Sequence, residues 1–397
     1  MRSSRLGGLL ALAALAAVVA TSGAAAAPPP GPHGSQVVGH VYVNDNSAPV
    51  NTVAGFDRHA DGSLTAIPGS PFAVGGSGTG HPDASQGSLQ LSADGRYLLA
   101  VDAGSNQISV LRVQHDGLLQ AVPGSPVASN GVDPVSIGVE HDLVYVANAG
   151  PGSQTGDTNY TGFRLDPGGH LRPIPNSTYV LPNNSKPGEV LFDRDGRKLV
   201  GTRIATSAID SFTVGHDGRL TPAAGSPYFA QSFSPTQGWG QLGAEFSPAN
   251  PSQLFVSDAH TAAGGAAFPG LLSSFSDANN GVLTPVGAPV ANDGGASCWI
   301  EISHDGRFVF VVNTASASIS SYSIGRGGAL KFLQSTGTGE IGAGAEDARL
   351  SPDGRTLWVV ESGTNAVTGF TVRGGTLTPL SSIAGSAGAT PSGIVVN

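Results

Sequence analysis

One short pattern recurs seven times along the chain and limits what it can fold into. A turn glycine, one variable residue and a leucine occur at Gly62-Ser63-Leu64, Gly117-Leu118-Leu119, Gly169-His170-Leu171, Gly218-Arg219-Leu220, Gly281-Val282-Leu283, Gly328-Ala329-Leu330 and Gly375-Thr376-Leu377. Successive leucines are 55, 52, 49, 63, 47 and 47 residues apart. A period of about 50 residues with strand-like content is the size of a four-stranded blade. A second motif runs in phase with the first: Asp94-Gly95-Arg96, Asp195-Gly196-Arg197, Asp305-Gly306-Arg307 and Asp353-Gly354-Arg355 each sit between short apolar runs. Asp-Gly there marks a tight hairpin, because glycine takes positive φ without a Cβ clash. The other repeats degrade this turn, to Glu140-His141-Asp142 in one and Pro248-Ala249-Asn250-Pro251 in another. The expected fold is all-β: a seven-bladed β-propeller with four-stranded antiparallel blades.

One repeat reads strand by strand as Ser88–Leu91, a hairpin at Ser92–Arg96, Tyr97–Asp102, Gln107–Val113 and Leu118–Val122. The near-continuous apolar second strand fits burial on both faces between neighbouring blades. The first repeat has no inner strand and opens on Gly39–Asn44, whereas the chain closes on Pro391–Val396, which matches inner strands elsewhere. The C-terminal strand is therefore expected to complete the first blade and remove the open edges of the ring. A linear solenoid leaves this split repeat unexplained.

Ahead of the repeats, Arg2 and Arg5, an apolar stretch from Leu6 to Ala20 and small residues at Ala24–Ala27 read as a secretory signal peptide. The expected organisation is a signal peptide over 1–27, a Pro/Gly-rich linker over 28–36 and one propeller over 37–397. The protein is expected outside the cytoplasm, as a monomer without a membrane span. Cys298 is the single cysteine, so no intramolecular disulfide can form. A net charge of −9 and the lack of any Lys/Arg run argue against nucleic acid or anionic membrane as the main partner.

Repeats such as Leu350-Ser351-Pro352-Asp353-Gly354-Arg355-Thr356-Leu357-Trp358-Val359-Val360 resemble the YVTN-type and lactonase-type propellers, the group of 6-phosphogluconolactonase-like and carboxymuconate-cyclase-like proteins. The resemblance spans the mature chain and rests on turn and core residues. It implies a lactone-processing site made without a cofactor or metal. Relatives of this type carry a Pro-Arg-His motif at one inner-strand start and an Ala-Glu pair at another. Here Lys186–Phe192 lacks Arg-His, and Ala-Glu is approximated at Ala244-Glu245 and Glu346-Asp347-Ala348.

In such a blade the turns between strands one and two and between three and four share one face, and here both are short. The connections on the other face are long: Ala147–Thr161, Pro227–Gly240 and Ser257–Gly270. Long loops on a rigid scaffold carry binding and chemistry, so a site is expected at the loop-rich mouth of the central channel. The candidates for acid–base or oxyanion roles are Arg349, Glu301, Asp347, Glu245 and His260. Those for substrate binding are Arg203, Glu189, Trp299, Trp239 and His81. The plain reading of the same residues is a water-filled channel whose polar side chains pair with one another. Cys298 reads as a buried thiol rather than a nucleophile. The His-Asp-Gly sequences at His115, His216 and His304 read as turn chemistry on the opposite face.

Two functions fit. One is a secreted lactonase-like propeller that hydrolyses or forms a non-phosphorylated lactone in its channel. The other is a non-catalytic propeller that binds a protein, glycan or cell-envelope partner through its loop-rich face.

Overall fold

The computed structural model describes residues 35–150, 154–229, 240–259, 269–337, 344–385 and 390–397. The signal-peptide and linker readings, apart from the linker's last residues, lie outside them, as do His260 and Trp239. Seven antiparallel sheets follow one another along the chain, and their inner strands surround a central channel. The expected seven-bladed propeller is what forms. In blade two the strands are Leu89–Leu91, Tyr97–Asp102, Gln107–Val113 and Leu119–Ala121, within a residue of the sequence reading. Five sheets count a fifth strand only because the outer strand is broken. In blade two, Leu119–Ala121 and Val127–Ala128 both pair with Gln107–Val113. A serine hydroxyl fills four of the breaks: Ser70, Ser125, Ser177 and Ser226 accept from the N–H groups of Gly55, Val110, Gly162 and Ser211 at 2.7–3.1 Å.

Closure runs as the split repeat predicts. Ser392–Val396 pairs with Val37–Asn44 as the inner strand of blade one. Asn397 and His40 exchange backbone hydrogen bonds at its end. The Asp-Gly turns also hold. Asp94, Asp305 and Asp353 each accept from the hydroxyl of the serine two residues earlier at 2.6–2.7 Å, and the following glycines have φ of 67–69°.

Apolar second strands pack between blades, with Tyr97–Asp102 and Lys198–Arg203 buried along their whole length. Tyrosine tips stitch neighbouring blades together. Tyr42, Tyr97 and Tyr145 each donate at 2.8 Å to a carbonyl in the next blade's outer turn, those of Gly117, Pro167 and Gly218. Between blades four and five the stitch is ionic. Lys198, 4% exposed, sets its Nζ 2.9 Å from Asp277 Oδ2 and 3.8 Å from Asp193 Oδ2. Removing one member of a buried pair strands the other charge. Lys198→Met is therefore expected to cost about 3–5 kcal/mol in urea unfolding. Adding Asp277→Asn should recover most of that loss; a single variant as stable as the parent would show the pair to be dispensable.

Candidate functional site

The polar residues at the loop-rich ends of the second strands do not face the channel. They sit one strand outward, and most find partners within the blade. Asp102 accepts from Ser109 at 2.6 Å and from Asn51 at 2.9 Å. Asp258 accepts from Ser273 at 2.7 Å and from Gln241 at 2.9 Å. Arg203, read from the sequence as a substrate-binding residue, follows the same rule. Its guanidinium is buried and bonded to Asp210 at 2.8 Å, and Asp210 also accepts from Tyr160 of blade three. His81 likewise stands away from the channel, exposed on the connector between blades one and two.

The channel is lined by the inner strands. Three positions in from those second-strand ends, the paired inner-strand residues of blades one to seven are Val396, Gln90, Gly138, Leu191, Glu245, Glu301 and Arg349. One arc of this ring, Glu245–Glu301–Arg349–Gln90 with Val396 inserted before Gln90, is largely polar; Gly138 and Leu191 close it with an apolar stretch. Nearer the loop-rich end lie Glu189, Trp299 and Asp347.

The carboxylates in this channel bind blades together. Glu189 accepts from Ala244 N–H at 2.5 Å, and Glu301 Oε1 from Leu350 N–H at 3.0 Å, each across a blade boundary. Asp347 accepts from Ala348 N–H at 2.9 Å and from Gly87 N–H at 3.4 Å. Arg349 Nη1 stands 3.2 Å from Glu301 Oε2. Its Nε and Nη2, and Oε2 of Glu245, are buried without any hydrogen-bond partner. Arg349 and Glu245 influence each other's charge, yet form no ion pair. Donors on Arg349 and an acceptor on Glu245 are thus left unpaired at one depth of the channel.

Burial pushes the Glu301 carboxyl up to about 7, against the pull of Arg349 and the Leu350 N–H. Burial likewise raises Glu189 and Glu245 well above the usual carboxylate range, with neighbouring carboxylates adding to it, and raises Asp347 against the pull of Arg349. For Arg349 burial acts downward, but Glu301, Asp347, Glu245 and Glu189 outweigh it and hold the guanidinium protonated. Among the described residues no cluster of three His, Cys, Asp or Glu side chains could hold a metal. Cys298 is buried, which pushes its thiol up to about 12, and it has no nucleophile's surroundings.

The loop-rich mouth departs from expectation, because chain fills it. Ser85–Gly87, ahead of the short inner strand of blade two, crosses the channel. Gln86 Nε2 donates to Ile300 O at 3.0 Å and its Oε1 accepts from Ile300 N–H at 3.1 Å, so one side-chain amide pairs with the inner strand of blade six. Gln86 N–H donates to Gly188 O of blade four at 3.0 Å, and Gly87 O accepts from Ile137 N–H of blade three at 2.9 Å. Trp299 Nε1 donates to Ser85 O. Trp299, read from the sequence as a substrate-binding residue, thus anchors this crossing segment. Gly243 is required here, since a Cβ would stand 2.4 Å from Gln86 Oε1 and 2.5 Å from Cys298 O.

Residues 247–396 match the family model described as lactonase, 7-bladed beta-propeller. Among solved structures, a Bacteroides uniformis protein named provisionally as a 6-phosphogluconolactonase has a TM-score of 0.71 at 17% identity, covering 91% of this chain and 100% of that one. The periplasmic gluconolactonase of Pseudomonas aeruginosa has a TM-score of 0.68 at 19% identity, covering 90% and 98%. Identities this low speak to fold. Comparison with curated protein sequences gives no match. The chain is a seven-bladed β-propeller, and its part from residue 247 to 396 is similar to the lactonase-type propellers.

Proposed function

We propose that the channel is the active site of a hydrolase for non-phosphorylated lactones, working outside the cytoplasm. The observation that carries this reading is the unpartnered Nε and Nη2 of Arg349 opposite the unpartnered Oε2 of Glu245. A lactone carbonyl seated in a gap between these groups meets a guanidinium suited to the negative charge that develops on its oxygen. In its ionised form Glu245 takes a proton from the attacking water as the new C–O bond forms. The ring C–O bond then breaks, and the proton passes to the departing alkoxide oxygen to give the hydroxy acid. Glu301 holds Arg349 in place, and its raised carboxyl keeps proton exchange within reach of neutral pH.

Charge argues for a substrate without phosphate. Arg349 is the one cation in the ring of channel residues and already faces Glu301, so a phosphate dianion finds no second cation there. The likeness to a periplasmic gluconolactonase and the signal-like leader support an exported enzyme of this kind.

The test is pH-stat hydrolysis of sugar lactones, muconolactone-like rings and simple γ- and δ-lactones by the purified protein. Arg349→Ala is expected to lower kcat/KM by about 10²–10³-fold, and Glu245→Gln by about 10²–10⁴-fold. Folded protein with no turnover on any of these rings would overturn the proposal. The second reading, a partner-binding propeller, draws on the inter-blade bonds of Glu189, Glu301 and Asp347, which an architectural role also explains.

A further inference from the structure

We propose that Ser85–Gly87 is a stopper, and that ligands enter the channel from the short-turn face, opposite the long loops. This rests on the channel being the ligand site; it does not depend on which reaction occurs there. The crossing segment bonds to the inner strands of blades three, four, six and seven through Ile137, Gly188, Ile300 and Asp347. A chain tied to four blades at once leaves no passage for a ligand beside it.

Exposure inside the channel follows the same direction. Gln86, Ser136, Glu189, Trp299 and Asp347, beside the stopper, are all within 5% of complete burial. One step deeper, Glu301, Val396 and Gly138 stay buried, but Gln90, Leu191, Glu245 and Arg349 regain partial exposure, and the Arg349 side chain reaches 23%. Solvent therefore touches this ring from the end bounded by the Asp-Gly turns, short of the buried Arg349 and Glu245 atoms. A polar segment that only decorated an open mouth would leave the opposite gradient.

The stopper also positions the site. Gln86 grips Ile300 at both its N–H and its carbonyl, and Ile300 lies between Trp299, which holds Ser85, and Glu301, which holds Arg349. Gly87 suits this path: its φ is +83°, and a Cβ would stand 2.9 Å from Gln90 Nε2 and 3.2 Å from Ser136 Oγ.

Thiol labelling tests the direction of entry without any turnover assay, so its failure is separate from failure of the lactonase reading. In a Cys298→Ala background, S136C places a thiol against the stopper and L191C places one in the ring below it. A small charged methanethiosulfonate is expected to label L191C at least tenfold faster than S136C. Gln86→Ala should speed labelling of S136C at least tenfold and change L191C by less than threefold. Trp299→Phe, which frees Ser85 O, should act in the same direction should Gln86→Ala fail to fold. Equal or faster labelling of S136C in the parent would overturn the proposal. So would labelling of L191C that appears only after the stopper is loosened, since that places the entrance at the loop-rich face.

Discussion

A chain shortened to end before Ser392 will fail to form a stable ring. Ser392–Val396 is the whole inner strand of blade one, and Ile394, Val395 and Val396 are 0%, 3% and 8% exposed. Burying three such side chains contributes roughly 5–9 kcal/mol at ~1.5–3 each. That is comparable with the ~5–15 kcal/mol that holds an average domain folded. The loss does not stop there. Val41 and Val43 belong to the same buried cluster as Ile394 and Val396, together with Trp358 and Val360 of blade seven, so the seam between the last and first blades opens to water. Asp347 also loses a backbone donor at Ile394. With Cys298 as the single cysteine, no disulfide can hold the seam. Circular dichroism and urea titration should show loss of the cooperative transition. A truncated protein melting within a few degrees of the parent would mean that the ring closes by some other contact.

That clasp was legible because a repeat divided between the two ends of a chain has one economical explanation. The strands of blade two were legible for a similar reason: Asp-Gly turns and apolar runs are local signals, and ring packing supports them. The site was legible only in outline. Glu245, Glu301 and Arg349 were singled out as polar inner-strand residues. Their common depth emerges once each is counted from the end of its paired second strand, a register the sequence carries but does not announce. Arg203 could not be separated from them by residue type, because its partner Asp210 lies on the third strand and only the folded blade joins the two. The crossing of Ser85–Gly87 had no local signal at all. Its bonds reach residues 50 to 260 positions away, and loop length alone pointed to the same mouth as open.

The folded protein will be more stable at pH 5 than at pH 8, the reverse of common acid sensitivity. Burial raises Asp102 to about 6, Asp258 and Glu301 to about 7, and Glu346 to about 8. In the unfolded chain such carboxyls titrate near pH 4. Between those values the folded state binds more protons than the unfolded state. The stability these groups contribute is therefore complete below about pH 4 and is lost as pH rises through their folded pKa values. Asp94, Asp305 and Asp353 have lowered values and the opposite sign, but they lie in exposed turns and titrate below this window. Each unit of displacement corresponds to about 1.4 kcal/mol. Four displaced carboxyls thus amount to several kcal/mol between pH 5 and 8, even after generous allowance for coupling among them. The expected result in scanning calorimetry is a Tm lower by roughly 5 °C or more at pH 8. Asp258→Asn together with Glu346→Gln fixes two of these groups in a neutral form away from the Arg349–Glu245 gap, and should flatten the slope while leaving the pH 5 value little changed. A Tm that stays level or climbs from pH 5 to 8 would mean that these carboxyls are already ionised in the fold.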